Sequence, residues 1–532
     1  VKYIKLIYQI CMMYKKTVID CPNERVKDAV FEFISVDRSL RDPHGSWNSD
    51  RWVHSRFTFG EDGRSGGYPP EAQLLLDILD GVFYRVMPGA PVQIWDLEPK
   101  HGPGAVSDSS GKVDKYDFPA WPNKLDQIFM WERYAFPNDL WSCEANRPSS
   151  LEPPARLLAV PKTFKGPRLI ASEPTAHQFL QQGLMKWIRE NLTFPLRLSI
   201  DFLSQVPSQV RAREASQTGA LATVDLSAAS DRLSCWVVER ALGSNPSLLE
   251  ALHAVRTRCI VDATGVDPDL SLRLKKFAAQ GSAVTFPIQT IIYTGCCYAA
   301  ILYDRGMKVT YKNICKIARE VRVFGDDIIL PSSTVPTLTA LLHYLELKVN
   351  ESKTHSTGGF REACGTDAWC GYDITPSYVR HLQLGTRPSA DELVSWVEVS
   401  NNFHKAGYWS VSNWMLKQIP QQLRDRLVIS DEDGPGIRLF TFSRGTVVRQ
   451  SRVRYSESLQ RQEAQAFCIR TRTHKRSRGL SNDLYDYFIR APQDRDVKWL
   501  LDPTPWDHGY VTKESSVLRK DWVAVDSFTA KG

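Results

Sequence analysis

From Ala278 to Tyr303 the chain carries no charged side chain. That run is longer than the roughly 18 apolar residues that make a candidate membrane span. Gln280, Ser282, Thr285, Pro287, Gln289, Thr290 and Gly295 interrupt it, however. The pattern predicts a helix buried on all sides in a large protein core, with no membrane as partner. The chain is long enough to build such a core. At about 100–200 residues per domain, 532 residues suggest about three or four domain-sized lobes. Hydrophobic residues make up 42% and charged residues 24%, which excludes a disordered or fibrous chain. Lys and Arg number 67 against 60 Asp and Glu, a net charge of +7 that is compatible with a polyanionic partner.

The 11 cysteines are scattered, with no CxxC pair and with Cys296 next to Cys297. Neither a zinc ribbon nor a disulfide framework is expected, and reduced thiols in a cytosol are the simplest state. Cys364 and Cys370 lack paired ligands for a metal. The first residues mix Lys2, Lys5, Tyr3, Tyr8 and Tyr14 with a short apolar run, so no secretory signal is expected. Val1 in first position suggests an alternative start codon or an incomplete sequence, with Met12 or Met13 as possible starts.

The region up to about residue 150 is rich in turns, at Arg41–Pro43, Gly60–Gly67 and Pro99–Gly104. Trp47, Trp52, Trp95, Trp121, Trp131 and Trp141 recur through it and read as core anchors. Pro153–Arg168 is basic and extended, and Ala176–Asn191 has helical spacing. Ala220–Asp225 reads as a buried strand ending in an acid, and Ser230–Leu242 as a helix after a Ser/Asp start. Val321–Leu330 reads as strand, turn, strand around Gly325-Asp326-Asp327, and Val335–Leu347 as a helix. Residues 385–532 are expected to be mostly helical, with loops at Asp431–Gly436 and Asp502–Gly509. Arg444, Arg449, Arg452, Arg454, Arg461, Arg470, Arg472, Lys475, Arg476 and Arg478 crowd one segment. Glu457 and Glu463 are its only acids, and the segment suits phosphate contact.

The chemistry lies in the acids. Asp225 closes one apolar strand, and Asp326 and Asp327 sit between two others. Gathering three carboxylates at strand ends is unfavourable unless something positive binds among them. Magnesium is the natural candidate, as a hard ion that binds through carboxylates and substrate phosphates. Two such ions ~3.5–4 Å apart can activate a hydroxyl and stabilise a leaving pyrophosphate. Gly325 allows a tight hairpin with the acids at its tip. A Gly-Asp-Asp triplet alone is weak evidence. Its context is ordered, with Lys162, Lys165 and Arg168 upstream, then Asp225, then Gln280-Gly281-Ser282, and Lys353 downstream.

In that order the sequence resembles the RNA-directed RNA polymerase, or replicase beta subunit, of the leviviruses, the positive-strand RNA bacteriophages. Leu221-Ala-Thr-Val-Asp-Leu-Ser-Ala-Ala-Ser-Asp231 resembles polymerase motif A, and Val323-Phe-Gly-Asp-Asp-Ile-Ile329 resembles motif C. Asn350-Glu-Ser-Lys-Thr354 and Gly359-Phe-Arg-Glu-Ala-Cys-Gly365 resemble downstream motifs. Val160-Pro-Lys162 and Ile170-Ala-Ser-Glu-Pro174 resemble the basic fingers motif. His101-Gly-Pro-Gly-Ala-Val106 and Phe118-Pro-Ala-Trp-Pro122 add to the likeness, which spans roughly residues 95–400. Phe324 stands where the family usually has Tyr, Ala363 where Ser is common, and Gln280-Gly-Ser-Ala where Met-Gly-Asn-Gly is frequent.

The resemblance implies an α+β fold, a right-hand polymerase of fingers, palm and thumb with an antiparallel palm sheet flanked by helices. The expected division is 1–219 for the N-terminal region and fingers and 220–373 for the palm, with a fingers insertion around 243–277. Residues 374–532 would form the thumb and the C-terminal basic region. Asp225 and Asp326 would hold two Mg²⁺ ions, with Mn²⁺ able to substitute, and Asp327 would complete the site. Lys162, Lys165 and Arg168 would meet the incoming triphosphate, where a phosphoryl-transfer site needs positive charge. Glu173 would orient these basic residues. Lys353 would give a proton to pyrophosphate. Asp231, Ser282 and Thr285 are candidates for the ribose 2′-hydroxyl, with Asp231 starting the helix after the strand. Phe360 and Arg361 would support the primer strand.

The implied substrates are an RNA template and ribonucleoside triphosphates. The implied partners are host translation elongation factors and a ribosomal protein, and the implied location is the cytoplasm of a bacterial host. Another palm polymerase, such as a reverse transcriptase, is the alternative among enzymes. An RNA-binding scaffold with an inactive palm is the alternative outside them.

Overall fold

The computed structural model describes residues 1–53, 68–135, 148–431, 436–442, 452–477 and 510–524, apart from 18, 20, 88, 94, 96, 103, 109–114, 116–117, 164–165 and 386–387. The chain divides into two compact units. One comprises Val1–Cys11 with Ile19–Pro376, the other Met12–Val18 with Ser377–Gly532.

The first unit is built around the uncharged run. Its larger part forms one helix, Thr285–Asp304, buried along nearly its whole length. Among the described residues only this helix is long and apolar enough to cross a membrane, and 94% of its most apolar window is buried inside the protein. It is a core helix. Val284, Ile288, Ile291, Ile292 and Cys296 pack there with Leu76, Leu79 and Phe83 of the helix Pro70–Val86. Trp47, Trp121 and Trp131 anchor the same core, whereas Trp95 is exposed under the guanidinium of Arg133. Trp141 lies outside the described residues.

The strands of this unit bring the acids together. Strand β1 (Ala155–Thr163) returns as β2 (Gly166–Ser172), so the basic segment is a hairpin. Strands β3 (Leu221–Val224) and β4 (Leu226–Ser227) flank Asp225. Strands β5 (Cys259–Asp262) and β6 (Ser271–Arg273) extend the first hairpin into a sheet of order β2-β1-β5-β6. Strands β7 (Arg322–Phe324) and β8 (Asp327–Pro331) form the acidic hairpin. Strand β3 joins it antiparallel, giving the order β3-β8-β7. Strand β9 (Lys348–Val349) pairs with β4. Strands β10 (Phe360–Ala363), β11 (Thr366–Trp369) and β12 (Tyr372–Asp373) make a meander. An antiparallel sheet flanked by helices is thus present, and the α+β class holds.

Local chemistry sets the element boundaries. The helix expected from Ser230 begins at Cys235, because Ser234 is its N-cap and its side chain accepts from the Val237 N–H. Asp231 therefore lies in the turn before that helix instead of starting it. The helix expected over Val335–Leu347 ends at Tyr344, and Lys348 already belongs to β9.

In the second unit, helices Ala390–Lys405, Trp409–Gln418 and Gln421–Arg424 are followed by strands. Ser389 and Glu392 close a reciprocal capping box on the first helix. Trp396, Val397, Phe403, Met415 and Ile419 form this unit's core. Strands β13 (Val428–Ser430) and β14 (Arg438–Phe440) pair in parallel. Strands β15 (Val453–Ser456), β16 (Arg461–Ser477) and β17 (Tyr510–Ala524) form an antiparallel sheet.

The mostly helical expectation for 385–532 is therefore corrected. Ala464 and Ala466 are buried on alternate positions of β16, a period-2 pattern carried by small residues that also favour helices. Asp431 and Gly436 are the described ends of the first expected loop, and the loop at Asp502–Gly509 lies outside the described residues.

Candidate active site

The acidic hairpin is closed by Phe324 opposite Asp327, leaving Gly325 and Asp326 as a two-residue loop. Gly325 has φ +65° while Asp326 is not in the left-handed region. Positive φ at the first loop position only is the type II′ pattern, which favours Gly there and suits strand twist. The loop is pinned from below by the core helix. The Gly325 N–H donates to Thr290 Oγ1 at 3.0 Å, and Thr290 donates to the Phe286 carbonyl at 2.7 Å. The Phe324 ring meets Phe286 edge-on, with centroids 4.9 Å apart. Phe324 thus keeps the packing role of an aromatic ring at this position.

Asp225 faces this loop across the sheet. Val224 pairs with Ile328, so one more step in register sets Asp225 opposite Asp327. The Asp225 carbonyl accepts from the Asn350 N–H at 2.8 Å. Its Oδ2 accepts from Asn350 Nδ2 at 3.0 Å and lies 3.2 Å from Lys353 Nζ. Asp327 is held differently, with its Oδ2 accepting from the Cys364 N–H at 3.1 Å. Asp326 stands at the hairpin tip.

The charges act on one another. Desolvation and then the Asp225 charge hold the Asp326 carboxyl above its ordinary range, against Lys353 and Arg168. Desolvation and Asp326 push Asp327 up to about 6. Lys162 is lowered by desolvation and by Arg168 and Lys353, against the pull of Asp326 and Asp225. Desolvation would lower Lys353 too, but Asp225 more than offsets it and keeps the ammonium above its usual range. Lys162, Arg168, Asp225, Asp326 and Lys353 therefore share one electrostatic neighbourhood. Lys165 lies outside the described residues.

The ribose candidates sit nearby in different states. Asp231 Oδ1 is 3.0 Å from the ammonium of the buried Lys276. Thr285 Oγ1 donates to the Ala279 carbonyl at 3.0 Å. Ser282 is buried, and its Oγ has no hydrogen-bond partner among the described residues. The loop carrying it is pressed onto β2. Gly281 has φ +125°, and a Cβ there would run into the Ala171 carbonyl oxygen.

Two other expectations are corrected. Glu173 is buried and accepts from Thr257 Oγ1 and from Gln181 Nε2, so it serves the interior instead of orienting the basic residues. Arg361 is fully buried and donates to the carbonyls of Leu221 (2.7 Å), Gly358 (3.0 Å) and Phe360 (2.7 Å). It staples β10 to β3 and cannot reach a nucleic acid. Phe360 packs against His355 with ring centroids 4.7 Å apart.

In the basic C-terminal segment, Arg454 and Arg461 both bond the buried Glu463. Arg444, Arg449 and Arg478 lie outside the described residues. Asn350 and Thr290 went unassigned in the sequence. Asn350 lies within a quoted motif, three residues before Lys353, and that proximity is the signal that could have found it.

The donor chemistry at Asp225 and Asp326 suits a hard divalent cation, because desolvation, and after it the Asp225 charge, raise the Asp326 carboxyl, and a cation among these oxygens would offset both. Among the described residues no group of three His, Cys, Asp or Glu side chains is placed to hold a metal ion. Asp327 has one oxygen committed to Cys364. A cavity of about 450 Å³ lined by Trp52, Lys124, Gln127, Glu250 and His253 contains none of the candidate residues.

The chain is 34% identical over 298 residues to the RNA-directed RNA polymerase subunit beta of Escherichia virus Qbeta, covering 54% of this chain and 46% of that protein. It is 31% identical over 224 residues to the RNA-directed RNA polymerase beta chain of Escherichia phage MS2, covering 42% and 37%. The matches thus span less than half the length of these relatives. The crystal structure of the RNA-dependent RNA polymerase of a human picobirnavirus aligns with a TM-score of 0.45 at 10% identity, over 78% of this chain and 77% of that one. The family model described as RNA replicase, beta-chain, matches residues 140–461. That stretch is more than half of the 532 residues and contains β1 through β15, the acidic hairpin among them, so the chain belongs to the RNA replicase beta-chain family.

Proposed function

We propose that this chain is an RNA-directed RNA polymerase that joins ribonucleoside triphosphates on an RNA template and releases pyrophosphate. The observation that carries this reading is the type II′ hairpin itself, whose Asp326 and Asp327 meet Asp225 across the sheet, with Lys353 Nζ 3.2 Å from the Asp225 carboxylate. The charges of Lys162 and Arg168 act on the same group of acids. In this reading residues 220–373 are the palm, with a fingers insertion around 243–277. Residues 1–219 are the N-terminal region and fingers, and 374–532 the thumb and basic region. Asp225 and Asp326 would hold magnesium, with manganese able to substitute. Two such ions would activate the 3′-hydroxyl and neutralise the triphosphate.

The chain's own groups divide the remaining work. Lys162 and Arg168, with Lys165 beside them in sequence, bind the triphosphate. Lys353 Nζ holds a proton next to Asp225 and gives it to the departing pyrophosphate. Asp327, anchored on the Cys364 N–H, fixes the start of β8 and so the direction of the hairpin tip. Asp231, Ser282 and Thr285 sense the ribose, and the Ser282 Oγ, without a partner among the described residues, supports that role. Base pairing selects the nucleotide, so the protein needs to track only backbone and sugar. Bacterial translation elongation factors and a ribosomal protein are the proposed partners, and the host cytoplasm the proposed location. A pull-down from host lysate that returned no such factor would remove the partner claim.

The test is incorporation of labelled ribonucleotides on an RNA template with Mg²⁺, with and without bacterial lysate, beside Asp326→Asn. Template-length product that the substitution abolishes is the expected result. RNA binding by both proteins without any synthesis, even with lysate, would favour an RNA-binding scaffold instead.

A further inference from the structure

We propose that Lys276 is a positioning residue for nucleotide sugar selection, holding Asp231 so that the site distinguishes ribose from deoxyribose. The proposal rests on the polymerase reading and on Asp231 as a ribose contact. Lys276 is completely shut from solvent, a costly place for an ammonium unless a partner is fixed for it. Its Nζ is 3.0 Å from Asp231 Oδ1 and 3.4 Å from the centroid of the Phe33 ring. A desolvated cation over an aromatic face gains a further attraction.

The backbone under Lys276 is held from both sides. The Asp37 carboxylate accepts from the N–H groups of Lys275 (3.1 Å) and Lys276 (3.0 Å). Arg256 donates to the carbonyls of Leu274 (2.6 Å), Lys276 (3.0 Å) and Phe277 (2.8 Å). The Leu233 carbonyl accepts from the Phe277 N–H at 2.7 Å, which ties this strand end to the turn containing Asp231. The lysine stem is therefore held along its backbone, and Asp231 is the one anionic partner of its ammonium among the described residues.

The pair is open on one side only. Asp231 retains 26% of its side-chain exposure while Lys276 has none. Tyr293 stands three residues from Thr290 on the core helix, and so on the same face of it; its hydroxyl donates to the Ala229 carbonyl at 2.8 Å, as Thr290 accepts from the Gly325 N–H at 3.0 Å. The turn that carries Asp231 is thus on the hairpin's side of the core helix. With Oδ1 committed to Lys276, the carboxylate cannot swing, and its other oxygen can accept from a ribose hydroxyl. A site with a fixed acceptor rejects the sugar lacking that hydroxyl, because the acceptor is left unpaired.

The experiment uses the full chain and compares GTP with 2′-deoxyGTP, by equilibrium binding and by KM and kcat in templated incorporation. Lys276→Met keeps the stem and removes the charge. It is expected to lower the preference for GTP about tenfold, through KM for the ribonucleotide and with kcat little changed. Asp231→Asn should lose the same preference, and the double substitution no more than either. Phe33→Leu, which loosens the ammonium without touching the pair, should lose part of the preference and decides the matter if Lys276→Met does not fold. Preference kept in Lys276→Met and Phe33→Leu but lost in Asp231→Asn would overturn the role of Lys276 and leave Asp231 as a ribose contact. Preference kept in all three would overturn both, while the effect of Asp326→Asn on synthesis would still judge the polymerase reading separately.

Discussion

Three carboxylates that are alike in the sequence become unequal in the structure, and their partners decide how much each substitution costs. Asp326 projects from the hairpin tip, and its charge is what the neighbouring lysines and arginine answer. Asp327 already has an oxygen committed to the Cys364 N–H, and an asparagine could still accept that bond. Asp326→Asn is therefore expected to reduce synthesis by at least ~10³-fold, and Asp327→Asn by roughly tenfold, in single-nucleotide incorporation at saturating substrate. Equal losses would show that the Cys364 contact does not set the difference. Asn350 holds both the carbonyl and the carboxylate of Asp225 and accepts the Lys353 N–H through its own carbonyl. Asn350→Ala should then reduce kcat by about 10–100-fold, the usual effect of losing a group that orients a ligand, with KM little changed. A rise in KM alone would place Asn350 in substrate binding instead. The carboxylates were legible because acids closing apolar strands are uncommon. Asn350 and Arg361 were not, since a polar residue in a loop gives no sign of which distant carbonyl it meets.

At the level of elements, the short-range features were the readable ones. The hairpin at Gly325, the strand ending at Asp225 and the core helix each follow from local pattern and turn chemistry. The three-stranded C-terminal sheet does not. Its longest pair sets Glu463 opposite Ala524 and Ser477 opposite Tyr510, so the partner lies far along the chain while the local Gln-Glu-Ala composition favours helix. The basic run had a similar limit, because the buried acid that Arg454 and Arg461 share is itself one of the run's two acids. The close approach of the Ser282 loop to β2 was also hidden. The glycine there reads like any other until the Ala171 carbonyl is beside it. Gly281→Ala should destabilise the chain by about 3 kcal/mol, as the wrong φ and a backbone collision combine. Gly166→Ala, with open space around it and no positive φ, should cost less than about 1 kcal/mol. Urea denaturation of both variants checks this, and similar midpoints would mean that the loop moves freely off β2.

Across the whole molecule, interior charge shapes the response to acid. Lys124, Arg256, Arg258 and His177 are buried around the largely covered side chain of Glu152, with Lys124 2.9 Å from Glu152. His253 lies beside them, its Nε2 3.0 Å from the Ser49 carbonyl. Desolvation, then the Lys124 charge, depress His253 to about 3. An unfolded chain would protonate it near its ordinary value of 6.5. Between those two values the unfolded state binds the proton that the folded state refuses, so this residue removes stability as pH falls below 6.5. By pH 4 the loss is on the order of 3 kcal/mol. Asp327 works in the opposite direction, because a carboxyl raised to about 6 takes up its proton in the folded state first and gains stability over much of the same range. Total stability can thus stay nearly flat while both effects operate. Comparison with His253→Gln separates them, since the Asp327 contribution is common to both chains and cancels in the difference. The stability of His253→Gln relative to the parent should rise by on the order of 3 kcal/mol between pH 7 and pH 4, read from urea midpoints at each pH without added metal. A difference independent of pH would show that His253 accepts its proton in the folded state, and that the cationic interior around Lys124 does not keep it neutral.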